Sequence, residues 1–177
     1  IAPMLDEIAA EYQGKVTMLD YDVDVLGVGL LYTGSSINSV DEAEVTKARD
    51  ALIELKGYLQ AFLPTDFTKP LLKGTAVMAA SYDYDIAAAA RENPNVVWVS
   101  PEEGMPAYLD GWLAVKGSDQ LPEVEAFMNF LLEPENYAGF INTLGSAYVM
   151  AEAEQWINEE IKSNPALGFD PDVLKTI

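Results

Sequence analysis

Short apolar runs alternate with longer helical patterns along this chain, and this alternation limits the folds that it can adopt. The runs "KVTML" (15–19) and "GTAVMAA" (74–80) have the composition of buried strands. Each is followed by a pattern that predicts a helix, "DVDVLGVGLLYTG" (22–34) and "DIAAAARENP" (85–94), and the second ends before Pro94. Alternating strands and helices predict an α/β fold with a largely parallel sheet flanked by helices.

The clearest helical pattern begins near Ser39. Ser39 and Glu42 have the spacing of a capping box, and Val45, Ala48 and Leu52 recur at helical spacing. This pattern predicts a long amphipathic helix between the first two predicted strand–helix units.

The second half of the chain continues the alternation. "NVVWVS" (95–100) and "PAYLDGWLAV" (106–115) predict strands, the second with a period of two residues. Residues 121–145 predict two helices that separate at Pro134, and residues 152–174 predict a helix followed by irregular chain.

The composition excludes several classes of function. With 10 Lys and Arg against 29 Asp and Glu, the net charge is −19, which disfavours nucleic acid as a partner and favours cations. The chain has no Cys and no His, so it lacks the residues for Ser-His-Asp or Cys-His catalysis, thiol redox chemistry and the usual zinc sites. No apolar run reaches transmembrane length.

Acidic and aromatic residues alternate in three clusters: "MLDYDVDVLG" (18–27), "SYDYD" (81–85) and "YLD" (108–110). The Asp-x-Asp-x-Asp spacing of the first cluster is typical of a calcium loop. However, that loop needs Gly at its sixth position and Glu at its twelfth, where this chain has Val25 and Leu31. Calcium is therefore rejected on this motif, and the alternative is that Asp20 or Asp22 caps the following helix.

The first two clusters fall where a predicted strand leads into a helix. In open α/β sheets, ligands bind at the carboxyl ends of the strands. Aromatic rings beside carboxylates suit an organic cation, which gains cation–π attraction and charge-assisted hydrogen bonds. A sugar would also suit the rings, and a pair of carboxylates could serve a glycosidase, although no residue stands out as its acid.

Longer stretches of the chain resemble a known family. "GKVTMLD", "TGSSINSVDEAEVTKARDALIELK", "LLKGTAVMAASYDYDIAAAARENPNVVWVSPEEG", "YLDGWLAV" and "EVEAFMNFLLEPENYAGFINTLG" follow one another in the order found in periplasmic substrate-binding proteins of polyamine ABC transporters, the spermidine/putrescine type. The resemblance runs from about residue 11 to the C-terminus. It implies a lobe of the type II periplasmic-binding-protein fold, in a protein that closes on its ligand about a hinge.

The resemblance also implies a function without chemistry. The expected protein binds a small cationic solute such as a polyamine in the periplasm, or as an extracellular lipoprotein, and delivers it to an ABC permease in the membrane. No cofactor and no metal are expected. The ligand contacts that it implies are Asp24, Thr65, Tyr82, Asp85, Tyr108 and Asp110. Tyr21, where the family has an acid, is interpreted as a sign of changed specificity.

The resemblance divides the chain into three parts. Residues 1–106 correspond to the ligand-binding lobe, 107–152 to a segment that crosses to the other lobe, and 153–177 to a tail that returns to the first. The remainder of the other lobe is missing from the pattern, which implies a complementary lobe or partner chain. Residues 1–17 resemble thioredoxin beyond its cysteine motif, and this favours a chimera.

Three hypotheses of different classes follow from these patterns. The first is a solute-binding protein or its isolated lobe, and the second is a chimera or structural scaffold without binding. The third is a hydrolase that uses two acids. Binding of a diamine separates the first from the second, and turnover of glycosides would favour the third.

Overall fold

The computed structural model describes residues 11–108, 110–164 and 167. Its strands and helices follow in the order β1 Val16–Leu19, α1 Asp22–Tyr32, α2 Glu42–Lys56, β2 Ala61–Leu63, α3 Lys69–Leu72, β3 Met78–Ala79, α4 Asp83–Glu92, α5 Leu121–Leu131, α6 Pro134–Leu144, a 3-10 helix Ala151–Trp156, and α7 Glu159–Lys162. Most of the stretch that resembles thioredoxin lies outside the described residues, and so does most of the predicted irregular end of the tail.

The three strands form one parallel sheet in the order β2-β1-β3. Thr17 of β1 lies opposite Ala61 of β2, and Val16 lies opposite Met78 of β3. The central strand is the most buried, since Thr17, Met18 and Leu19 are all shielded from solvent. The α/β class with a parallel sheet flanked by helices is confirmed.

Helix α1 packs closely on α2. A Cβ atom added at Gly29 would lie 2.7 Å from Leu52 Cδ1 and 3.2 Å from the backbone oxygen of Ala48, so a glycine is needed where the helices cross. Ala48 and Leu30, one on each helix, are almost completely buried. This contact holds the C-terminal half of α1 against α2.

A second core joins α4 to the C-terminal helices. Ala87 of α4, Ala138 and Ile141 of α6, and Ala153 and Ile157 pack together. The separation of α5 from α6 at Pro134 agrees with the prediction, and so does the end of α4 at Asn93.

Both predictions of helix capping are wrong. The residue before α1 is Tyr21, whose side chain makes no cap, so neither Asp20 nor Asp22 has the predicted role. Asp22 is instead the first residue of α1, where its charge favours the helix dipole.

Asp41, rather than Ser39, caps α2. The Asp41 carboxylate accepts hydrogen bonds from the amides of Ala43 and Glu44 at 2.9 and 3.1 Å. Ser39 lies one turn too early and donates its hydroxyl to the Glu44 side chain. The predicted capping box was therefore placed two residues before the true helix start.

The two strands predicted after residue 94 are also wrong. Residues 95–100 and the described residues of 106–115 form no strand. Alternating apolar residues become a strand only where a neighbour supplies backbone hydrogen bonds, and none of the described strands pairs with them. As a result Val97, Val99, Leu113 and Val115 remain exposed. Strand β2, by contrast, was not predicted, because "AFL" is too short to show a period.

None of the helices in the described part of the chain is long and apolar enough to cross a membrane.

Candidate functional site

The candidate site lies at the carboxyl ends of β1 and β3. Because these two strands are parallel neighbours, their carboxyl ends meet at one edge of the sheet. Strand β1 leads into α1, which carries Asp24 in its first turn, and β3 leads to Tyr82, the residue that precedes α4. Two of the predicted clusters, 58 residues apart in sequence, therefore come together.

Asp24 is the centre of the site. It is only 8% exposed, and its carboxylate accepts hydrogen bonds from two tyrosines. The Tyr82 hydroxyl donates to Oδ2 at 2.6 Å, and the Tyr108 hydroxyl donates to Oδ1. The buried acid thus ties α1 to the start of α4 and to the irregular segment that contains Tyr108.

The segment around Tyr108 reaches Asp24 because it runs along α1. A Cβ atom at Gly27, one turn beyond Asp24, would lie 3.5 Å from Pro106 Cγ. The third predicted cluster is thereby brought to the first, although the strand predicted for it does not form.

Both tyrosines are held in their protonated, donating form. Burial is the main reason that the pKa of Tyr82 is raised, and the hydrogen bond to Asp24 and the Asp24 charge raise it further. The same three causes, in the same order, raise the pKa of Tyr108 to about 12. At neutral pH both hydroxyls are therefore neutral and donate to Asp24.

A row of aromatic rings continues from Tyr82. Phe67 makes edge contacts with both Tyr21 and Tyr82, at centroid distances of 6.2 and 5.6 Å. Tyr84 stacks on Tyr82, with centroids 5.7 Å apart and planes at 10°. The prediction from sequence included Tyr82 but missed Phe67 and Tyr84 as parts of the site. The alternation of Tyr and Asp in "SYDYD" was the signal that could have indicated Tyr84.

Four of the six predicted site residues line one groove. Asp24, Tyr82, Tyr108 and Asp110 contribute to a groove of 2620 Å³, together with Tyr21, Asp83 and Tyr84. Pockets that enclose small ligands have volumes of roughly 300–1,000 Å³, so this groove is too large to enclose such a ligand on its own. A smaller cavity of 480 Å³ between Trp112 and Phe127 is lined by five apolar residues and Glu123.

Thr65 and Asp85 are not among the residues that line the groove. Thr65 is exposed in the turn after β2. Asp85 is in the first turn of α4, where burial and the neighbouring Asp83 charge raise its pKa. Their role as ligand contacts stays a prediction.

The acids of the groove have no cationic partner within the described chain. Its four ion pairs join Arg49 to Asp50, Lys69 to Asp66, Arg91 to Glu160 and Lys162 to Glu159. None of these includes Asp24, Asp83 or Asp110. In residues 11–108, 110–164 and 167, no group of three or more acids could hold a metal ion. None of the described basic residues therefore neutralises these three acids by an ion pair.

Comparison with known families identifies the family of this chain. The family of bacterial extracellular solute-binding proteins matches residues 3–168. The chain belongs to this family. The match includes most of residues 1–17, so a single family accounts for the stretch that resembles thioredoxin.

The similar solute-binding proteins include two from Pseudomonas aeruginosa. A putrescine/cadaverine-binding protein is 28% identical over 166 residues, which are 90% of this chain and 47% of that protein. The putrescine-binding periplasmic protein SpuD is 26% identical over 171 residues, 93% of this chain and 47% of SpuD. The chain thus spans about half the length of the curated relatives that it matches.

Solved structures show the same fold. The TpPotD lipoprotein of Treponema pallidum aligns with a TM-score of 0.78 at 23% identity, over 90% of this chain and 51% of that one. The spermidine/putrescine ABC transporter substrate-binding protein PotD of Streptococcus pneumoniae aligns with a TM-score of 0.73 at 23% identity, over 96% and 53%. In this chain, Asp24 and its two tyrosines lie at the carboxyl edge of the sheet.

Proposed function

We propose that this chain is the ligand-binding part of an ABC importer and that it binds a small organic cation of the polyamine class. The observation that carries the proposal is the buried Asp24 carboxylate, which is surrounded by tyrosines and has no cation from the described chain. The names of the relatives, which bind putrescine or cadaverine, support this class of ligand.

The geometry suits an ammonium group. Each oxygen of a carboxylate can accept two hydrogen bonds, and each Asp24 oxygen accepts one from a tyrosine hydroxyl. A ligand ammonium can therefore donate to the remaining lone pairs, and the tyrosine hydroxyls hold the carboxylate in place for it. The rings that line the groove add cation–π attraction of about 0.5–2 kcal/mol each. The net charge of −19 attracts cations from a distance.

The proposal includes the setting of such a protein. It binds its solute in the periplasm, delivers it to a membrane permease and performs no chemistry. The relative SpuD is a periplasmic protein, and the family is one of extracellular solute-binding proteins.

Titration with putrescine tests this function. Putrescine should raise the melting temperature of the chain and give a binding isotherm by calorimetry, and Asp110→Ala should abolish both effects. The affinity should be weak, because the groove is open and a single lobe cannot enclose the ligand. The uncharged diol 1,4-butanediol is the matched ligand control.

Asp119→Ala is the matched protein control. Asp119 is an exposed acid that does not line the groove, so its loss removes the same charge at a different place. Equal loss of binding in both variants would mean that only the overall charge attracts putrescine. No response to putrescine in the unsubstituted chain would contradict the proposed function.

We propose further that residues 107–152 pack against a second lobe, as the resemblance implies. Leu113 in this segment is 90% exposed, and Phe127, Phe130 and Leu132 are more than half exposed. An apolar surface of this kind is typical of an interface rather than of a face in water.

A further inference from the structure

Tyr84 is the one ring of the aromatic row that combines a packed face with a face open to the groove. One face stacks on Tyr82 with nearly parallel planes, at a centroid distance of 5.7 Å. The residue is nevertheless 43% exposed and lines the groove. Its hydroxyl makes no hydrogen bond with any described residue, whereas the hydroxyl of Tyr82 is used on Asp24. The ring of Tyr84 is therefore available to a ligand.

The position of the Tyr84 ring is fixed by Tyr82, the ring on which it stacks. Tyr82 is held by its hydrogen bond to Asp24 and by the edge of Phe67, so the surface on which Tyr84 stacks cannot easily turn away. The backbone amide of Tyr84 donates to Asp83 Oδ1 at 2.8 Å, which holds the start of α4. The open face of the ring is thus a preorganised flat surface.

Acids surround this flat surface. The charges of Asp85, Asp83 and Asp110 each raise the pKa of Tyr84, after the larger effect of burial. Asp110 is exposed and lines the same groove. Its carboxylate is not part of any ion pair of the described residues. A cation on the ring of Tyr84 would therefore find a free carboxylate near it.

The kind of cation follows from the solvent exposure of this place. An ammonium group is strongly hydrated, and contact with an exposed ring compensates for little of the hydration free energy that the ammonium loses. A guanidinium group is planar and weakly hydrated, so it can stack flat on the ring and present two parallel N–H donors to a carboxylate. The buried Asp24, with its two hydroxyl donors, suits a compact ammonium instead.

We propose that Tyr84 determines ligand specificity, and that its open face selects a cation with a guanidinium group at one end over a cation with two ammonium ends. This inference rests on the proposed function, because it assigns one end of the same groove. The ligand class is a short alkyl amine with an ammonium at the Asp24 end and a guanidinium at the Tyr84 end.

Agmatine and putrescine form a matched pair of probes. Both have four methylene groups and one ammonium, and they differ in the second group, which is guanidinium in agmatine and ammonium in putrescine. Calorimetric titration of the 177-residue chain should give an affinity for agmatine about three- to tenfold higher than for putrescine, the range expected of one partly exposed cation–π contact.

Substitution of Tyr84 tests whether the ring is the cause. Tyr84→Leu keeps an apolar side chain without a π face, and should reduce the preference to about one by lowering the affinity for agmatine more than the affinity for putrescine. Tyr84→Phe keeps the ring and should keep the preference. The side chain of Tyr84 is exposed at the start of α4, and circular dichroism of each variant would verify that the helices remain.

The outcomes separate this inference from the proposed function. Equal affinity for the two probes, or a preference that persists in Tyr84→Leu, would overturn the role of Tyr84 and leave cation binding intact. Binding of neither probe would overturn both. A preference that is lost in Tyr84→Leu and kept in Tyr84→Phe supports the inference.

Discussion

Helices α1 and α5 are alike in sequence and different in surroundings. Each has 11 residues, most of them apolar. In α1, Leu30 is 1% exposed and Gly29 lies directly against Leu52. In α5 no residue is buried, and Phe127 is 56% exposed.

The difference teaches that helix formation and burial have separate causes. Helix α5 forms although none of its residues is buried, whereas α1 has a partner, α2, whose surface fits it. The candidate site depends on the helix that is packed. Asp24 can be held in one place because α1 is fixed against α2 and the sheet, and no acid of the site lies on α5.

The largest expected effect comes from truncating one apolar residue in each helix. Leu30→Ala should lower the free energy of unfolding by about 3 kcal/mol, because a filled core position becomes a cavity. Phe127→Ala should lower it by less than about 1 kcal/mol, because the ring is already more than half in water. Urea unfolding of the 177-residue chain measures both values.

This pair of variants also tests the proposed second lobe. A cost of several kcal/mol for Phe127→Ala would show that Phe127 is already packed in the 177-residue chain, and would contradict the proposal that the exposed apolar side chains of residues 107–152 await another lobe.

A smaller effect is expected from adding one methyl group to a helix glycine. Gly29→Ala should lower the free energy of unfolding by about 1 kcal/mol, since overpacking against Leu52 costs about 1–3 kcal/mol and the better helix propensity of alanine returns about 1 kcal/mol. Gly139→Ala in α6 is the matched control. A Cβ atom there meets nothing within 4 Å, so this variant should gain about 0.5–1 kcal/mol.

The opposite signs of these two glycine variants are the decisive result, and scanning calorimetry can measure them as shifts in melting temperature. If Gly29→Ala stabilised the chain as much as Gly139→Ala does, the close contact between α1 and α2 would be wrong, and the contrast with α5 would lose its basis.

The smallest expected effect is a loss of stability at alkaline pH. It concerns the hydrogen bond from Tyr108 to Asp24, a polar contact that α1 makes and α5 lacks. The pKa of Tyr108 is about 12 in the folded chain and about 10 in an unfolded one. Because the folded value is the higher, the contribution to stability is complete below pH ~10 and is lost as the pH rises through ~12. The loss should be below about 1 kcal/mol, since Tyr108 is 53% exposed and solvent weakens the interaction.

Tyr108→Phe should reduce this alkaline loss of stability, whereas Tyr58→Phe, which changes a tyrosine without a bond to Asp24, should leave it unchanged. Urea unfolding at several pH values in this range gives the comparison. An alkaline loss that is the same in Tyr108→Phe as in the unsubstituted chain would contradict the contact with Asp24.

The sequence predicted the parts of the fold that depend on local order. The strand before Asp20, the helices on either side of Pro134 and the end of α4 before Pro94 follow from apolar period and from proline. The polar edge of the sheet was predicted for the same reason, since acids follow two strands that are parallel. The strand prediction for residues 95–100 was wrong because a strand also needs a neighbouring strand, and a local pattern does not show whether one is present.

The site shows the same division. The sequence by itself determined that Asp24, Tyr82 and Tyr108 belong to acidic and aromatic clusters, and that an apolar strand precedes two of them. Only the tertiary structure decided that both tyrosines donate to one buried carboxylate, that Tyr84 stacks on Tyr82, and that Thr65 and Asp85 lie outside the groove. The physical reason is distance along the chain. Tyr82 and Tyr108 are separated from Asp24 by 58 and 84 positions along the chain. They meet it through strand order and helix packing, and no local pattern encodes these contacts.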